Sequence, residues 1–319
     1  MKTFIKKINK LMIGTSAGVL FASAGAASVQ AIDESVVEEA WGQPTFIYGG
    51  GLSDTEIQNT ANLLKIDDME EVASTPATGD DLVTYLGYDS GSTASMISSV
   101  LVQKTGKSGV MVDIITPENI TMITEQQYVN AAITAGVEDV NIEVASIRPV
   151  TGESALTGVY KALDVNGEEL DQDRMEVAQE ELETTSEIAD EEDLDEEESG
   201  RLDGAIVQVK QQLADIKDRT DQLATREEIE QIINDALERY DLQNVISIEN
   251  INILVNYFEK YQQTGAIDSE QVKEQLNEFA NNLGDRLGDA WQQAEESGLL
   301  DRIANFFKDI FQSIMNLFN

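Results

Sequence analysis

The chain has 319 residues, and its 21 basic side chains stand against 60 acidic ones, which gives a formal net charge of −39. It contains neither cysteine nor histidine. These two absences exclude disulfide scaffolds, thiolate or imidazole metal sites, and every catalytic arrangement built on a cysteine or a histidine. The negative charge opposes binding to phosphate backbones, so we expect no nucleic acid among the partners. We also expect no cofactor.

The N-terminus has the pattern of an export signal. The first ten residues carry four lysines and no acid, and an apolar stretch follows from Leu11 to about Ala22. This stretch is shorter than the roughly 20 residues that span a bilayer. Val29 and Ala31 satisfy the small-residue rule of signal peptidase, so we predict a signal peptide at 1–31 with cleavage near Ala31. The mature protein is then expected to be secreted or to lie on the extracellular face of the cell envelope.

The remaining chain divides by composition into three regions. Residues 32–167 are predicted to form an α+β domain, and residues 201–319 a helical bundle or helical hairpins. Between them, residues 168–200 form an acidic helix and linker, in which 17 acids accompany a single base between Glu168 and Ser199. Because like charges repel and extend a chain, we expect the run from Asp190 to Gly200 to be a disordered tether.

The α+β domain is predicted to contain an antiparallel hairpin in a mixed sheet with packed helices. The expected elements are a strand at 45–48, a helix from a capping box at Ser53 and Glu56 to Lys65, hairpin strands at 95–104 and 110–116, a helix from Thr124 and Gln127 to Ala135, a strand at 140–147 and a helix at 154–163. The hairpin rests on β-branched content and a glycine-bearing connection. The order indicates an α+β fold rather than repeated β-α-β units.

Beyond residue 200 the apolar residues recur at helical spacing. Four amphipathic helices are predicted, with apolar faces at 206–223, 229–237, 248–258 and 272–287, the second beginning at a capping box of Thr225 and Glu228. Each face needs a partner to bury it, which favours an antiparallel bundle or extended hairpins.

The last segment, 299–319, predicts a further amphipathic helix with a wide apolar face. Its contact residues are Phe306, Phe307, Ile310, Phe311, Ile314 and Phe318. A face of this size must be covered, and we expect the bundle, a second copy or an envelope protein to cover it. A membrane surface is the disfavoured alternative, because the segment balances Arg302 and Lys308 against Asp301 and Asp309, so anionic lipid offers no electrostatic gain.

Six segments carry a family resemblance. They are GLSDTEI (51–57), DDLVTYLG (80–87), SMISSVLV (95–102), PENITMIT (117–124), QQYVNAAITAGVEDVNI (126–142) and PVTGESALTGVYKAL (149–163). In these segments the chain resembles the YpuA-type secreted proteins of Gram-positive bacteria, a family of unknown function. The resemblance covers most of residues 32–170 and, more loosely, the helical remainder. It implies a cell-envelope setting and a shared α+β domain, and it brings no catalytic residue.

Carboxylates keep one catalytic class open, because glycosidases need only two of them at a suitable separation. The suspects flank predicted strand ends: Asp113, Glu118, Glu143 and Glu153. A polar ligand could be recognised by Glu153, Thr157 and Lys161, which share a helix face, together with Arg148. An ordinary ladder of side chains on a solvated helix is the favoured explanation of this helix face.

Two further patterns suggest ion binding. The glycines at 49–51 precede a helix start and could cradle an anion with free amides. Asp54 and Glu56 already place negative charge at that helix start, so a tight turn is the favoured explanation. The acidic linker could collect divalent cations weakly and diffusely, through Asp190, Glu191, Glu192, Asp193, Asp195, Glu196, Glu197 and Glu198. The linker lacks the preorganisation of a true metal site.

The sequence therefore predicts a secreted, non-catalytic binding or structural protein of the cell envelope. The first alternative is a carboxylate-dependent glycan hydrolase of the cell wall. The second is peripheral membrane association through the C-terminal helix.

Overall fold

The computed structural model describes residue 41 and residues 43–287, which all fall into one compact unit. The predicted signal peptide with its cleavage near Ala31 lies outside these residues. So does the predicted C-terminal helix with Phe306, Phe307, Ile310, Phe311, Ile314 and Phe318. Among the helices that are described, none is long and apolar enough to cross a membrane.

A mixed five-stranded sheet forms the N-terminal part of the fold. Its strands are β1 (Thr45–Gly49), β2 (Ala73–Ala77), β3 (Ser99–Lys104), β4 (Val110–Ile114) and β5 (Val140–Ala145), in the order β2-β1-β3-β5-β4. β3 is antiparallel to both of its neighbours, whereas β1–β2 and β4–β5 are parallel pairs. The described chain after residue 172 is helical, so the predicted fold class, an α+β region followed by a helical region, is confirmed.

The predicted hairpin is wrong, although both of its strands exist. β5 lies between β3 and β4 and pairs with each of them. The connection at 105–109 is long enough for this, because five extended residues reach ~16 Å, and two strand spacings require only ~10 Å. Insertion of β5 places Val140, Ile142 and Val144 in the core, where all three are buried.

Helices cover the sheet and continue beyond it. In the described chain they are α1 (Asp54–Leu63), α2 (Gly79–Leu86), α3 (Glu125–Ala135), α4 (Ser154–Val165), α5 (Gln172–Glu191), α6 (Glu196–Thr220), α7 (Arg226–Arg239), α8 (Ile248–Tyr261) and α9 (Glu270–Leu287). The units β1-α1-β2 and β4-α3-β5 are parallel crossovers, so β-α-β units are present where the sequence indicated none. The predicted capping boxes at Ser53, Thr124 and Thr225 are confirmed.

The acidic run at 190–200 is ordered in helices, contrary to the predicted disordered tether. α5 continues to Glu191 and α6 begins at Glu196, so only a short turn separates them. The Asp195 carboxylate accepts a hydrogen bond from the Glu198 amide, and the Glu198 carboxylate accepts one from the Asp195 amide. Leu194 in the turn packs against the helical core. Capping and burial therefore outweigh the repulsion between the acids.

Within the described residues, three apolar clusters hold the fold together. The largest lies between one sheet face and α3 and α4, and includes Ile47, Val100 and Ile142. A second fills the interior of the helical part, and a smaller one lies under α1 on the opposite sheet face. α3 packs against both α5 and α6, so the predicted boundaries at residues 168 and 200 do not coincide with a break in the packing.

Candidate functional site

One edge of the sheet gathers four strand-to-helix loops. β1, β2, β4 and β5 all end at this edge, and each is followed by a helix, while β3 begins there. Open α/β sheets bind ligands at the carboxyl ends of their strands, which makes this edge the first place to search for a site. Glu118, Arg148 and Glu153 lie in its loops.

The glycines at 49–51 form a packed turn rather than an anion cradle. The Gly49 amide donates to the Ser99 hydroxyl at 3.1 Å. The Gly50 amide donates to the Ala77 carbonyl at 2.8 Å, and the Gly51 amide donates to the Met96 carbonyl at 2.9 Å. All three amides are already bound to protein oxygens, so the turn explains the three glycines.

The suspected ligand-binding residues do not converge. Arg148 forms an ion pair with Glu56 of α1. Lys161 points to α2, where its ammonium group lies 2.7 Å from a carboxylate oxygen of Asp81. The Thr157 hydroxyl is buried and has no hydrogen-bond partner. The ion pair of Lys161 therefore joins α4 to α2. Arg148, Thr157 and Lys161 make separate contacts and do not form one ligand-binding face.

Glu153 and Glu118 also stand apart from the other suspected carboxylates. Burial raises the pKa of Glu153, the nearby Glu183 carboxylate raises it further, and the Thr151 hydroxyl opposes the rise. Glu118 is exposed in the loop between β4 and α3. Neither residue faces Asp113 or Glu143 across a common cleft in the contacts that the structure gives.

Asp113 and Glu143 are the two suspects that the fold brings together. They are direct partners in the register of β4 and β5 and project from the same face of the sheet. Burial raises the pKa of Glu143, the charge of Asp113 raises it further, and Lys65 opposes this. The Cα atoms of such partners are separated by one strand spacing, ~4.8 Å. The two carboxyls therefore stand side by side on a surface.

The acidic residues at 190–198 mainly organise helix ends. The Glu192 carboxylate accepts hydrogen bonds from the Ser247 amide at 2.8 Å and from the Asn250 side chain at 2.7 Å, which joins α5 to the start of α8. These hydrogen bonds lower the pKa of Glu192. No group of three or more acidic side chains arranged for a metal ion occurs within the described residues.

A buried ion pair lies where α3, α5, α6 and α8 meet. The Lys210 ammonium is 2.5 Å from Oε1 of Glu181, and the two side chains are 0% and 1% exposed. The other oxygen of Glu181, Oε2, accepts hydrogen bonds from the hydroxyls of Thr134 and Tyr257, each at 2.7 Å. Lys210 also donates to the Thr134 hydroxyl at 2.8 Å and lies over the ring of Tyr261. We call these five residues, with Asp203, the junction cluster.

Asp203 is the unusual member of the junction cluster. It is 1% exposed, and neither of its carboxylate oxygens has a hydrogen-bond partner. Burial raises its pKa well above the ordinary value, and the charge of Glu181 adds to the effect. Lys210 and the Thr124 hydroxyl oppose the rise. None of these residues was predicted from the sequence patterns described above.

The family of the chain follows from its comparison with known proteins. Residues 48–279 match the model of a family described as a protein of unknown function (DUF1002). The chain belongs to this family. It is 30% identical over 290 residues to the uncharacterized protein YpuA of Bacillus subtilis (strain 168), an alignment that covers 89% of this chain and 92% of that protein. The resemblance noted in the sequence is thereby confirmed.

The family match extends over both parts of the fold. It runs from Tyr48 in β1 to Phe279 in α9, so most of the sheet and of the helical region, and the whole junction cluster, lie within the matched span. No solved structure matches the chain. The comparisons thus give the family without an activity, and function has to be argued from the chemistry of the chain.

Proposed function

We propose that this chain is an exported, non-catalytic binding or structural protein of the cell envelope. The observation that carries the proposal is the placement of the four suspected carboxylates. Only Asp113 and Glu143 adjoin, and they project from one face of the sheet. A glycosidase needs its two carboxyls on either side of the scissile bond, and side-by-side groups on a surface do not supply that arrangement.

Charge supports a cationic partner for this protein. Removal of residues 1–31 takes away four lysines and no acid, so the mature chain has a net charge of about −43. A field of this sign attracts basic surfaces, repels anionic polymers and accelerates encounter with the former. The partner class favoured by electrostatics is therefore a protein with a basic surface, bound on the outer side of the membrane.

Export is the first testable part of the proposal. Expressed in a Gram-positive host, the full chain is expected to appear outside the cytoplasm with Ile32 as its first residue, because the basic and apolar segments precede a cleavable site. Mass spectrometry of fractionated cells measures this. Val29→Asp removes a small residue from the cleavage site and is expected to leave the precursor uncut. A chain that starts at Met1 and stays in the cytoplasm would contradict the proposal.

The alternative, a cell-wall glycan hydrolase, is favoured by one observation. Glu143 has a raised pKa beside Asp113, and one acid of a glycosidase pair must stay protonated. We expect the purified chain to release no soluble reducing sugar from peptidoglycan, and Glu143→Gln to change nothing. Glu169→Gln, an exposed carboxylate outside the four suspects, serves as the matched control. Sugar release that is lost in Glu143→Gln but kept in Glu169→Gln would establish the hydrolase instead.

A further inference from the structure

The junction cluster encloses more negative than positive groups. Glu181, Asp203 and Lys210 are each at most 1% exposed. Glu181 is fully satisfied, because Lys210 and two hydroxyl groups bind its oxygens. Beside a charged Asp203 stand the Thr124 hydroxyl and one ammonium group, and that ammonium already binds the Glu181 carboxylate. Burial of such a charge is costly unless the group is neutralised.

Lys210 is the cation whose charge acts on Asp203. α5 contributes Glu181, and α6 itself contributes Lys210, which already binds Glu181. From α3 come the uncharged Thr124 and Asn130, and the Asn130 amide donates to the backbone carbonyl of Asp203 at 3.4 Å.

The other helices around α6 make different contacts. α8 brings the Tyr257 hydroxyl to Glu181 and the Tyr261 ring to Lys210, and α7 packs Tyr240 against Gly204. On α9, Lys273 is bound to Asp218 near the far end of α6. Arg174 of α5 donates to the Thr134 carbonyl at the end of α3.

We propose that the junction cluster is a proton-dependent latch, in which Asp203 holds a proton at neutral pH and loss of that proton loosens α6 from α3 and α5. A neutral carboxyl leaves one negative charge for one positive charge inside the junction. The position matters because α3 belongs to the sheet-bearing part and α6 to the helical part. Ionisation of Asp203 therefore acts where the two parts of the fold meet.

The sign of the pH effect follows from the two states of Asp203. Its ordinary pKa is 3.8, and burial together with Glu181 holds the pKa well above this in the folded chain. Below pH ~4 both states bind the proton, so this group contributes no pH dependence. Above pH ~4, Asp203 keeps its proton in the folded state but has lost it in the unfolded state. Stability therefore falls as pH rises, and the unfolding constant grows by up to about tenfold per pH unit. The fall ends when Asp203 ionises in the folded chain as well.

The test compares Asp203→Asn with the unaltered full chain. Asparagine has the shape of the neutral carboxyl and cannot ionise. Urea unfolding between pH 5 and 9 should give the unfolding constants of both proteins. The constant of the unaltered chain divided by that of the variant should grow by up to about tenfold per pH unit. Asp215→Asn is the matched control, because Asp215 lies on α6 but is exposed and paired with Arg219. Its ratio should stay constant over the same range.

Two measurements detect the proton and the opening directly. An infrared spectrum at pH 7 should contain the carbonyl stretch of a protonated, buried carboxyl group, and Asp203→Asn should lack it. Hydrogen exchange corrected for intrinsic rates should show the protection of residues 203–210 falling with pH in the unaltered chain and not in the variant. Glu181→Gln makes Asp203 the counter-ion of Lys210, so it should remove the infrared band without removing Asp203.

Three results would overturn the proposal. One is an identical pH profile for the unaltered chain and Asp203→Asn. A second is the absence of the carboxyl band at neutral pH. The third is stabilisation by added sodium or calcium in the unaltered chain but not in Asp203→Asn, which would assign a bound cation rather than a proton to the junction. If Asp203→Asn fails to fold, the infrared spectra of the unaltered chain and of Glu181→Gln still test the proposal. The carboxyl band should be present in the first spectrum and absent from the second.

Discussion

Lys210→Met should lower the free energy of unfolding by about 3–5 kcal/mol, because it leaves the Glu181 carboxylate buried without its cation. Methionine keeps the length of the side chain and removes only the ammonium group. Glu181 is 1% exposed, so water cannot replace the lost partner without a rearrangement of the helices. Urea unfolding monitored by circular dichroism at pH 7 measures the change.

Two further variants identify the cause of that loss. Adding Glu181→Gln to Lys210→Met should recover most of the stability, since a glutamine oxygen still accepts hydrogen bonds from Thr134 and Tyr257 while the buried charge is gone. Lys260→Met is the matched surface control, because Lys260 on α8 pairs with the neighbouring Glu180 while 61% exposed. Its effect should stay within about 1 kcal/mol. An equally small effect of Lys210→Met would show that the junction is open to water.

Local signals in the sequence predicted helix starts accurately. The boxes at Ser53, Thr124 and Thr225 depend on two side chains three residues apart and on the amides of one turn, so no distant contact alters them. The helix from Thr124 ends at Ala135 as predicted. β2 was missed because its sequence, ASTPA, has little β-branched content and contains Pro76. An edge strand tolerates such a proline, since one side of its backbone pairs with no neighbouring strand.

Strand pairing could not be read from the same local signals. β3 and β4 are adjacent in sequence, which favoured a hairpin, but the choice of neighbour is decided by burial across the whole sheet. Every residue of β3 is buried, which requires a strand on both sides. β5 supplies the second side with four buried apolar residues, and β4 is left at the edge with Met111 exposed.

The junction cluster left a signal that the sequence analysis did not use. On a helix, the neighbours of Lys210 are three and four residues away, and they are Ile206, Val207, Leu213 and Ala214. A lysine surrounded by four apolar neighbours lies on a buried face, where it needs an acidic partner from another element. Glu181 likewise has no charged residue at these spacings. The sequence could therefore have indicated both members of the pair, though not that they meet.

The carboxyl edge of the sheet depends on glycines that allow close backbone contact. A Cβ atom at Gly49 would lie 2.4 Å from the Met96 carbonyl oxygen and 2.7 Å from the backbone of Ile97. That carbonyl accepts the hydrogen bond of the Gly51 amide, and the Gly49 amide binds Ser99. Any movement that relieves the clash therefore also breaks the hydrogen bonds that join the glycine turn at 49–51 to the start of β3.

Gly49→Ala should accordingly destabilise the protein by about 3 kcal/mol, since a backbone clash is relieved only by shifting a whole segment. Gly265→Ala is the control, because nothing lies within 4 Å of a Cβ at that position. It should leave stability unchanged within about 1 kcal/mol or raise it slightly, through the lower entropy of the unfolded chain. Thermal unfolding of both variants measures the contrast. Equal melting temperatures for Gly49→Ala and Gly265→Ala would mean that the loop at Met96 yields freely and that the edge is not rigidly built.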